Sequence, residues 1–149
     1  FKIYLPASDK QVLAAHLKHE EAGGAQHGSE TILLVDDEDM VADIGKDMLE
    51  KLGYTVLVAA GGTEAIVLFK RHREQIDLVI LDMIMPDMSG GETFSRMRAI
   101  RPNAKILLSS GYSLDSRASA IMKQGCNGFI QKPFNLKRIS HKIREILDA

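Results

Sequence analysis

Three carboxylates, one hydroxyl and one ammonium each stand at the end of an apolar run in this chain of 149 residues. Asp36 and Asp37 follow Thr31-Ile32-Leu33-Leu34-Val35, and Asp82 closes Ile76-Asp77-Leu78-Val79-Ile80-Leu81. Ser109 closes Lys105-Ile106-Leu107-Leu108, and Lys132 closes Gly128-Phe129-Ile130-Gln131. Carboxylates gathered in one place repel, so either one takes up a proton or a cation joins them. A ligand set of oxygens alone selects a hard ion such as Mg²⁺, which keeps some of its waters and welcomes a phosphate oxygen. An aspartate beside such an ion and an ammonium is suited to attack a phosphoryl group, and a nearby hydroxyl can hydrogen-bond the transferred oxygens.

The residues converge only if the runs that carry them are neighbouring strands. Ile76 to Asp82 is too short for a helix and too continuously apolar for a strand with one wet face, which makes it a central strand covered on both sides. Thr31–Val35 is a second buried strand, and Met40 to Leu52 carries Val41, Ile44, Met48, Leu49 and Leu52 at helical spacing, closed by Gly53. Tyr54–Ala59 is a strand, and Gly61-Gly62-Thr63 leads into a helix through Ala65, Ile66, Leu68 and Phe69. Pro86 and the paired Gly90-Gly91 read as a turn after Asp82, with the next helix over Thr93 to Ile100. Lys105–Ser109 is the fourth strand, Ser110-Gly111-Tyr112-Ser113 a loop and Leu114 to Gln124 a helix. Gly128–Lys132, cut off by Pro133, is the fifth strand, and Leu136 to Leu147 the last helix. Strand and helix alternate five times, which predicts a doubly wound α/β sandwich of three layers with all strands parallel. The carboxyl ends of parallel strands share one edge, where such folds place their chemistry.

Ahead of this unit the pattern is different. Phe1-Lys2-Ile3-Tyr4-Leu5-Pro6 alternates like a strand and stops at proline, so residues 1–7 read as the end of a preceding domain. Residues 8–29 are a polar linker in which Val12, Leu13 and Leu17 form at most one weak helix, begun by Ser8 and Gln11. Residues 30–149 form the α/β domain, and a chain opening in mid-strand is expected to be part of something longer.

Composition removes several classes. A net charge of −1, with 45% hydrophobic and 26% charged residues, describes an ordinary globular chain and offers no field to gather nucleic acid or an anionic membrane. No apolar run approaches the roughly 18 residues of a membrane span, and Cys126, the one cysteine, has no internal partner for a disulfide. A cytoplasmic setting is the expectation.

The acidic pair Asp36-Asp37, the Asp82…Met85-Pro86-Asp87-Met88-Ser89-Gly90 segment, Ser109 after its apolar strand, and Gly128-Phe129-Ile130-Gln131-Lys132-Pro133-Phe134 together resemble the receiver domains of two-component response regulators. The resemblance spans about residues 30 to 149. It implies a flavodoxin-like sheet of order 2-1-3-4-5, and a phosphoryl group passed from phosphohistidine to Asp82. Asp36, Asp37, Asp82 and the backbone carbonyl of Ile84 would hold Mg²⁺ (Mn²⁺ in its place), and Lys132 would pair with the phosphoryl group. Ser109 and Phe129 would be the switch pair, and Lys132-Pro133 a cis bond. Ser109 stands where threonine is commoner, and Phe129 where tyrosine is frequent.

The opening six residues resemble the last strand of the ATP-binding domain of sensor histidine kinases, which points to the receiver of a hybrid histidine kinase. The receiver's own activity would be Mg²⁺-dependent self-phosphorylation and dephosphorylation, with a protein histidine kinase as parent chain. Its partners would be a kinase core or a histidine phosphotransfer domain. A signalling face, through which a homodimer could also form, is expected on the fourth helix, fifth strand and fifth helix near Ile121, Met122 and Ile139. The resemblance also ties hydrolysis to the side chains two positions after Asp82 and two after the switch hydroxyl, Ile84 and Gly111; neither orients a water, so self-dephosphorylation should be slow.

Competing readings are a stand-alone single-domain regulator and a receiver-like interaction module that never takes phosphate. A flavin-binding relative is opposed by Asp36-Asp37-Glu38-Asp39, which would repel a phosphate, and an Asp-x-Asp phosphatase by Ile84 in place of an acid. His16 and His19 read as solvated, and Met83, Met85 and Met88 as loop packing.

Overall fold

Strand β3, Ile76–Asp82, is buried at every position but Asp77 and sits in the middle of the sheet. The computed structural model describes residues 26–111 and 115–149. Around β3 lie β1 (Thr31–Val35), β2 (Thr55–Ala59), β4 (Ile106–Ser110) and β5 (Gly128–Gln131), all parallel and ordered β2-β1-β3-β4-β5. The connecting helices are α1 (Asp39–Lys51), α2 (Gly62–Arg71), α3 (Gly90–Ile100), α4 (Ser116–Lys123) and α5 (Leu136–Leu147). The strand and helix that the sequence places at residues 1–17 lie outside the described residues, as do Tyr112, Ser113 and Leu114.

Pleat alternation divides the apolar side chains between two cores. Ile32, Leu34, Leu78, Ile80, Leu107 and Ile130 meet Leu49 and Leu52 of α1 and Leu136, Ile139 and Ile143 of α5. Leu33, Val35, Val79, Leu81, Ile106 and Leu108 meet Phe69 of α2, Phe94 and Met97 of α3, and Ala118 and Ile121 of α4. Strands this apolar on both faces are stable only with a helical layer on each side, which fixes the sandwich.

Two expectations change. Gly90 and Gly91 do not end a turn but open α3, three residues earlier than the sequence suggests. Ser89 is its N-cap, accepting the Glu92 N–H at 3.1 Å, and the Ser89-to-Glu92 spacing is the capping signal that the glycines masked. Gly90 is needed for closeness: a Cβ there would stand 2.7 Å from Met83 Cα and 2.8 Å from the Asp82 carbonyl oxygen. Of the residues expected at the signalling face, Met122 is partly exposed and the two isoleucines are not surface residues. Ile139 is fully buried against the sheet and Ile121 nearly so, each in a different core layer. Among the described residues the exposed large apolar side chains are Met40, Ile44, Val67 and Ile84.

Candidate functional site

The parallel register carries the chemistry to one edge. Val35 is level with Leu81, so Asp36 and Asp37 emerge beside Asp82, and Asp82 is level with Ser109. β5 is level with the end of β4 through Ser110 and Gln131, and the Lys132 N–H donates to the Ser110 carbonyl at 2.7 Å. That bond holds the backbone of Lys132 at the sheet edge, and the Lys132-Pro133 peptide that follows is cis.

Asp36, Asp37 and Asp82 each present a carboxylate oxygen within 4.8 Å of the others. Asp36 and Asp82 are buried, and Asp37 is half-buried. The Lys132 ammonium lies 2.6 Å from Asp36 Oδ2 and 3.3 Å from Asp82 Oδ1. Asp36 Oδ1 accepts the Glu38 N–H at 2.9 Å, a local turn that orients the acidic pair. Burial pushes the Asp82 pKa up to about 6; the Lys132 charge opposes this, and Asp36 adds to it. For Lys132, burial favours the neutral amine, yet the Asp36 hydrogen bond and the Asp82 charge outweigh it and the net shift is upward. One ammonium against three carboxylates leaves the cluster short of positive charge. Its all-oxygen donor set fits a hard divalent cation such as Mg²⁺.

The loop from Met83 to Ser89 is fixed at both ends. The Met83 N–H donates to the Ser109 carbonyl at 3.0 Å and the Gly90 N–H to the Met83 carbonyl at 2.9 Å. Asp87 reaches across to α2, accepting the Gly62 N–H at 3.2 Å and the Thr63 N–H at 3.0 Å. Gly61, the N-cap of α2, has no side chain to do this, so the helix is capped from a neighbouring loop. Ile84 stands 46% exposed at the mouth of the site.

The register places the two serines of β4 on opposite faces of the sheet. Leu108 is level with Phe129 and packs in the layer of α2, α3 and α4, whereas Leu107 and Ile130 pack in the layer of α1 and α5. Alternation then puts Ser109 on the face away from Phe129 and Ser110 on the same face as Phe129. Both serines are buried, and Ser110 is the last residue of β4, one later than the sequence suggests. The hydroxyl that shares a face with the ring is therefore Ser110.

Comparison with known proteins agrees with the fold. The response regulator receiver domain family matches residues 32–144, and the chain belongs to that family. The sensor kinase CckA of Brucella abortus (strain 2308) is 37% identical over 155 residues, covering 99% of this chain and 16% of that protein. The chemotaxis protein CheY of Thermotoga maritima is 32% identical over 116 residues, covering 77% of this chain and 95% of CheY. Among solved structures, the receiver domain of the hybrid histidine kinase CckA superposes with a TM-score of 0.66 at 31% identity, covering 78% of this chain and 98% of that one. The chain is thus a receiver domain with the parallel 2-1-3-4-5 sheet, and it spans only a small part of the sensor kinase it matches.

Proposed function

We propose that Asp82 is the phosphoacceptor of a two-component relay. The observation that carries this is a buried carboxylate at the sheet edge, 3.3 Å from the Lys132 ammonium and flanked by Asp36 and Asp37. An Asp82 oxygen attacks the phosphorus of a phosphohistidine, the P–N bond breaks, and the imidazole leaves with the bonding pair and takes a proton. The product is an acyl phosphate on Asp82. Asp36, Asp37, Asp82 and the Ile84 carbonyl would hold Mg²⁺, which when bound neutralises charge on the transferred oxygens. Lys132 supplies a second positive contact, and its backbone anchor to Ser110 makes it a fixed one. Ser110 hydrogen-bonds a phosphoryl oxygen and Phe129 turns into the space it vacates, carrying the signal towards β5.

The same reading covers the setting. Similarity to the sensor kinase covers 99% of the chain, whereas the CheY relative stops at 77%, so the kinase likeness includes residues ahead of the receiver. This supports a hybrid histidine kinase, with residues 1–7 closing a kinase domain and 8–29 as linker. Its donors are then a kinase core or a histidine phosphotransfer domain, approaching over Met40 and Ile84 at the rim of the site. No helix among the described residues is long and apolar enough to cross a membrane, and a cytoplasmic place suits the relay.

The test is intact mass after incubation with acetyl phosphate and Mg²⁺. A gain of one phosphoryl group that needs both Mg²⁺ and Asp82, absent in Asp82→Ala, is expected. A folded protein that binds Mg²⁺ yet gains no phosphoryl group would overturn the reading in favour of a receiver-like binding module.

A further inference from the structure

The face of the sheet that packs against α1 and α5 ends in polar side chains. Ile80, Leu107 and Ile130 lie in that layer, and two residues further along their strands come Asp82, Ser109 and Lys132. Asp82 is level with Ser109, and Ser109 with Ile130. Because β4 lies between β5 and β3, the Lys132 side chain, which starts from β5, passes over Ser109 to bring its ammonium to Asp82 and Asp36. Its starting point is fixed there too, by the bond from the Lys132 N–H to the Ser110 carbonyl. A small side chain at position 109 leaves room for the crossing, but alanine would leave the same room. What serine adds is a hydroxyl. Ser109 is 2% exposed, and among the described residues its hydroxyl makes no hydrogen bond. A buried polar group without a partner costs stability, so it calls for a partner in another state of the molecule.

We propose that Ser109 is a positioning residue for Lys132, its hydroxyl accepting a hydrogen bond from the ammonium once that ammonium has left Asp36. The ammonium carries three N–H donors and faces two carboxylate oxygens here, at 2.6 Å on Asp36 and 3.3 Å on Asp82. Asp36 cannot hold a divalent cation and keep the ammonium at 2.6 Å, because two positive charges so close repel. Lys132 must then yield, and the side towards Asp36 and Asp37 is closed to it by the same repulsion. The open direction is back along its own stem towards β4, where Ser109 lies and Asp82 stays within reach. There the ammonium again has two polar partners, which a buried charge needs. Ser109 thereby lowers the cost of admitting the cation and keeps Lys132 beside Asp82 instead of in solvent. The use of this second seat in phosphoryl transfer rests on Asp82 as phosphoacceptor; the seat itself does not.

A double-mutant cycle on Mg²⁺ affinity tests the seat. Amide resonances of the full chain are followed during titration with MgCl₂ at constant ionic strength, in the native chain, Ser109→Ala, Lys132→Ala and the double variant. Ser109→Ala should weaken Mg²⁺ binding by about tenfold, the lower end for one hydrogen bond to a charged group. In the Lys132→Ala background the same substitution should change nothing. A pair matched in shape removes any packing effect: Ser109→Thr should bind Mg²⁺ more tightly than Ser109→Val by a similar factor, about tenfold. Equal weakening by Ser109→Ala in both backgrounds would show that Ser109 acts on the carboxylates or the fold and not through Lys132, and would overturn the proposal. Unchanged affinity in Ser109→Ala, or equal affinity of the Thr and Val variants, would overturn it as well. If the expected cycle appears but acetyl phosphate places no phosphoryl group on Asp82, the seat stands and only its use in transfer falls.

Discussion

Lys132 holds Asp36 at 2.6 Å, closer than the 3.3 Å that separates it from Asp82. In this state the ammonium mainly neutralises Asp36, and Asp82, nearly as buried, is left with half a partner. Burial, which the Lys132 charge only partly offsets, holds its pKa near 6.

A pH signature follows for the metal-free protein. The folded pKa of Asp82 lies above its ordinary value of 3.8, so the folded state binds this proton more tightly than the unfolded chain. The Asp82 contribution to stability is therefore greatest below pH 3.8 and is lost as pH rises through about 6. Ionised Asp82 costs about 2 kcal/mol once solvent screening is allowed for. Asp82→Asn should accordingly raise Tm at pH 7.5 without Mg²⁺ by roughly 4–8 °C, and the gain should vanish near pH 4. Thermal melts at the two pH values check this; an equal gain at both would refute the electrostatic origin. Lys132→Ala should do the reverse at neutral pH, costing roughly 3 kcal/mol by leaving Asp36 buried without its cation.

The two serines of β4 make a second pair of opposed expectations. Ser110 shares a face with Phe129 and Ser109 does not, so Ser110→Ala should uncouple the ring from phosphorylation while Ser109→Ala should leave the coupling intact. The readout is the aromatic resonance of Phe129 with and without acetyl phosphate and Mg²⁺. A phosphorylation shift that survives Ser110→Ala and disappears in Ser109→Ala would restore the assignment that the sequence alone suggests.

That reversal shows where the sequence was readable. β3 and α5 were read to the residue, because Ile76–Asp82 ends on a charge and Leu136–Leu147 has one clean apolar face. Asp36, Asp37, Asp82 and Lys132 were found because each ends an apolar run at a polar residue. Ser109 and Ser110 could not be told apart: Ile106, Leu107 and Leu108 are all buried, so no alternation marks which serine faces which layer. Ile121 and Ile139 failed as surface residues for a related reason, since a helical pattern gives periodicity but not which turn the neighbouring layer covers. The Asp87 cap on α2 joins residues 24 and 25 positions apart, and no local pattern announces it.

Asp87 carries its own prediction. The Thr63 N–H, foremost among its contacts, holds its pKa below the usual carboxylate value. Its contribution is therefore present above that usual value and lost as pH falls through the lowered one. Asp87→Ala should lower Tm at neutral pH and loosen the Met83–Ser89 loop, seen as faster amide exchange at Gly62 and Thr63. Asp87→Asn, which keeps one acceptor oxygen, should recover part of both. If Asn and Ala behave alike, the cap is not what Asp87 contributes.

The last prediction concerns the lifetime of the acyl phosphate. Ile84 follows Asp82 by two positions and stands 46% exposed at the site mouth, where an apolar side chain has no atom to orient an attacking water. Transfer to or from histidine should then be the main exit for the phosphoryl group, with spontaneous hydrolysis slow. Ile84→Asn supplies a donor and an acceptor at the same point and should shorten the lifetime by up to about a hundredfold, the lower end for a positioned side chain in proton transfer. Ile84→Val, apolar and smaller, should change it little. The decay of phosphorylated protein after removal of acetyl phosphate, followed by intact mass, gives all three lifetimes directly. Equal lifetimes for the native chain and Ile84→Asn would mean that water reaches the phosphorus from another side, past Asp37 or the loop after β4.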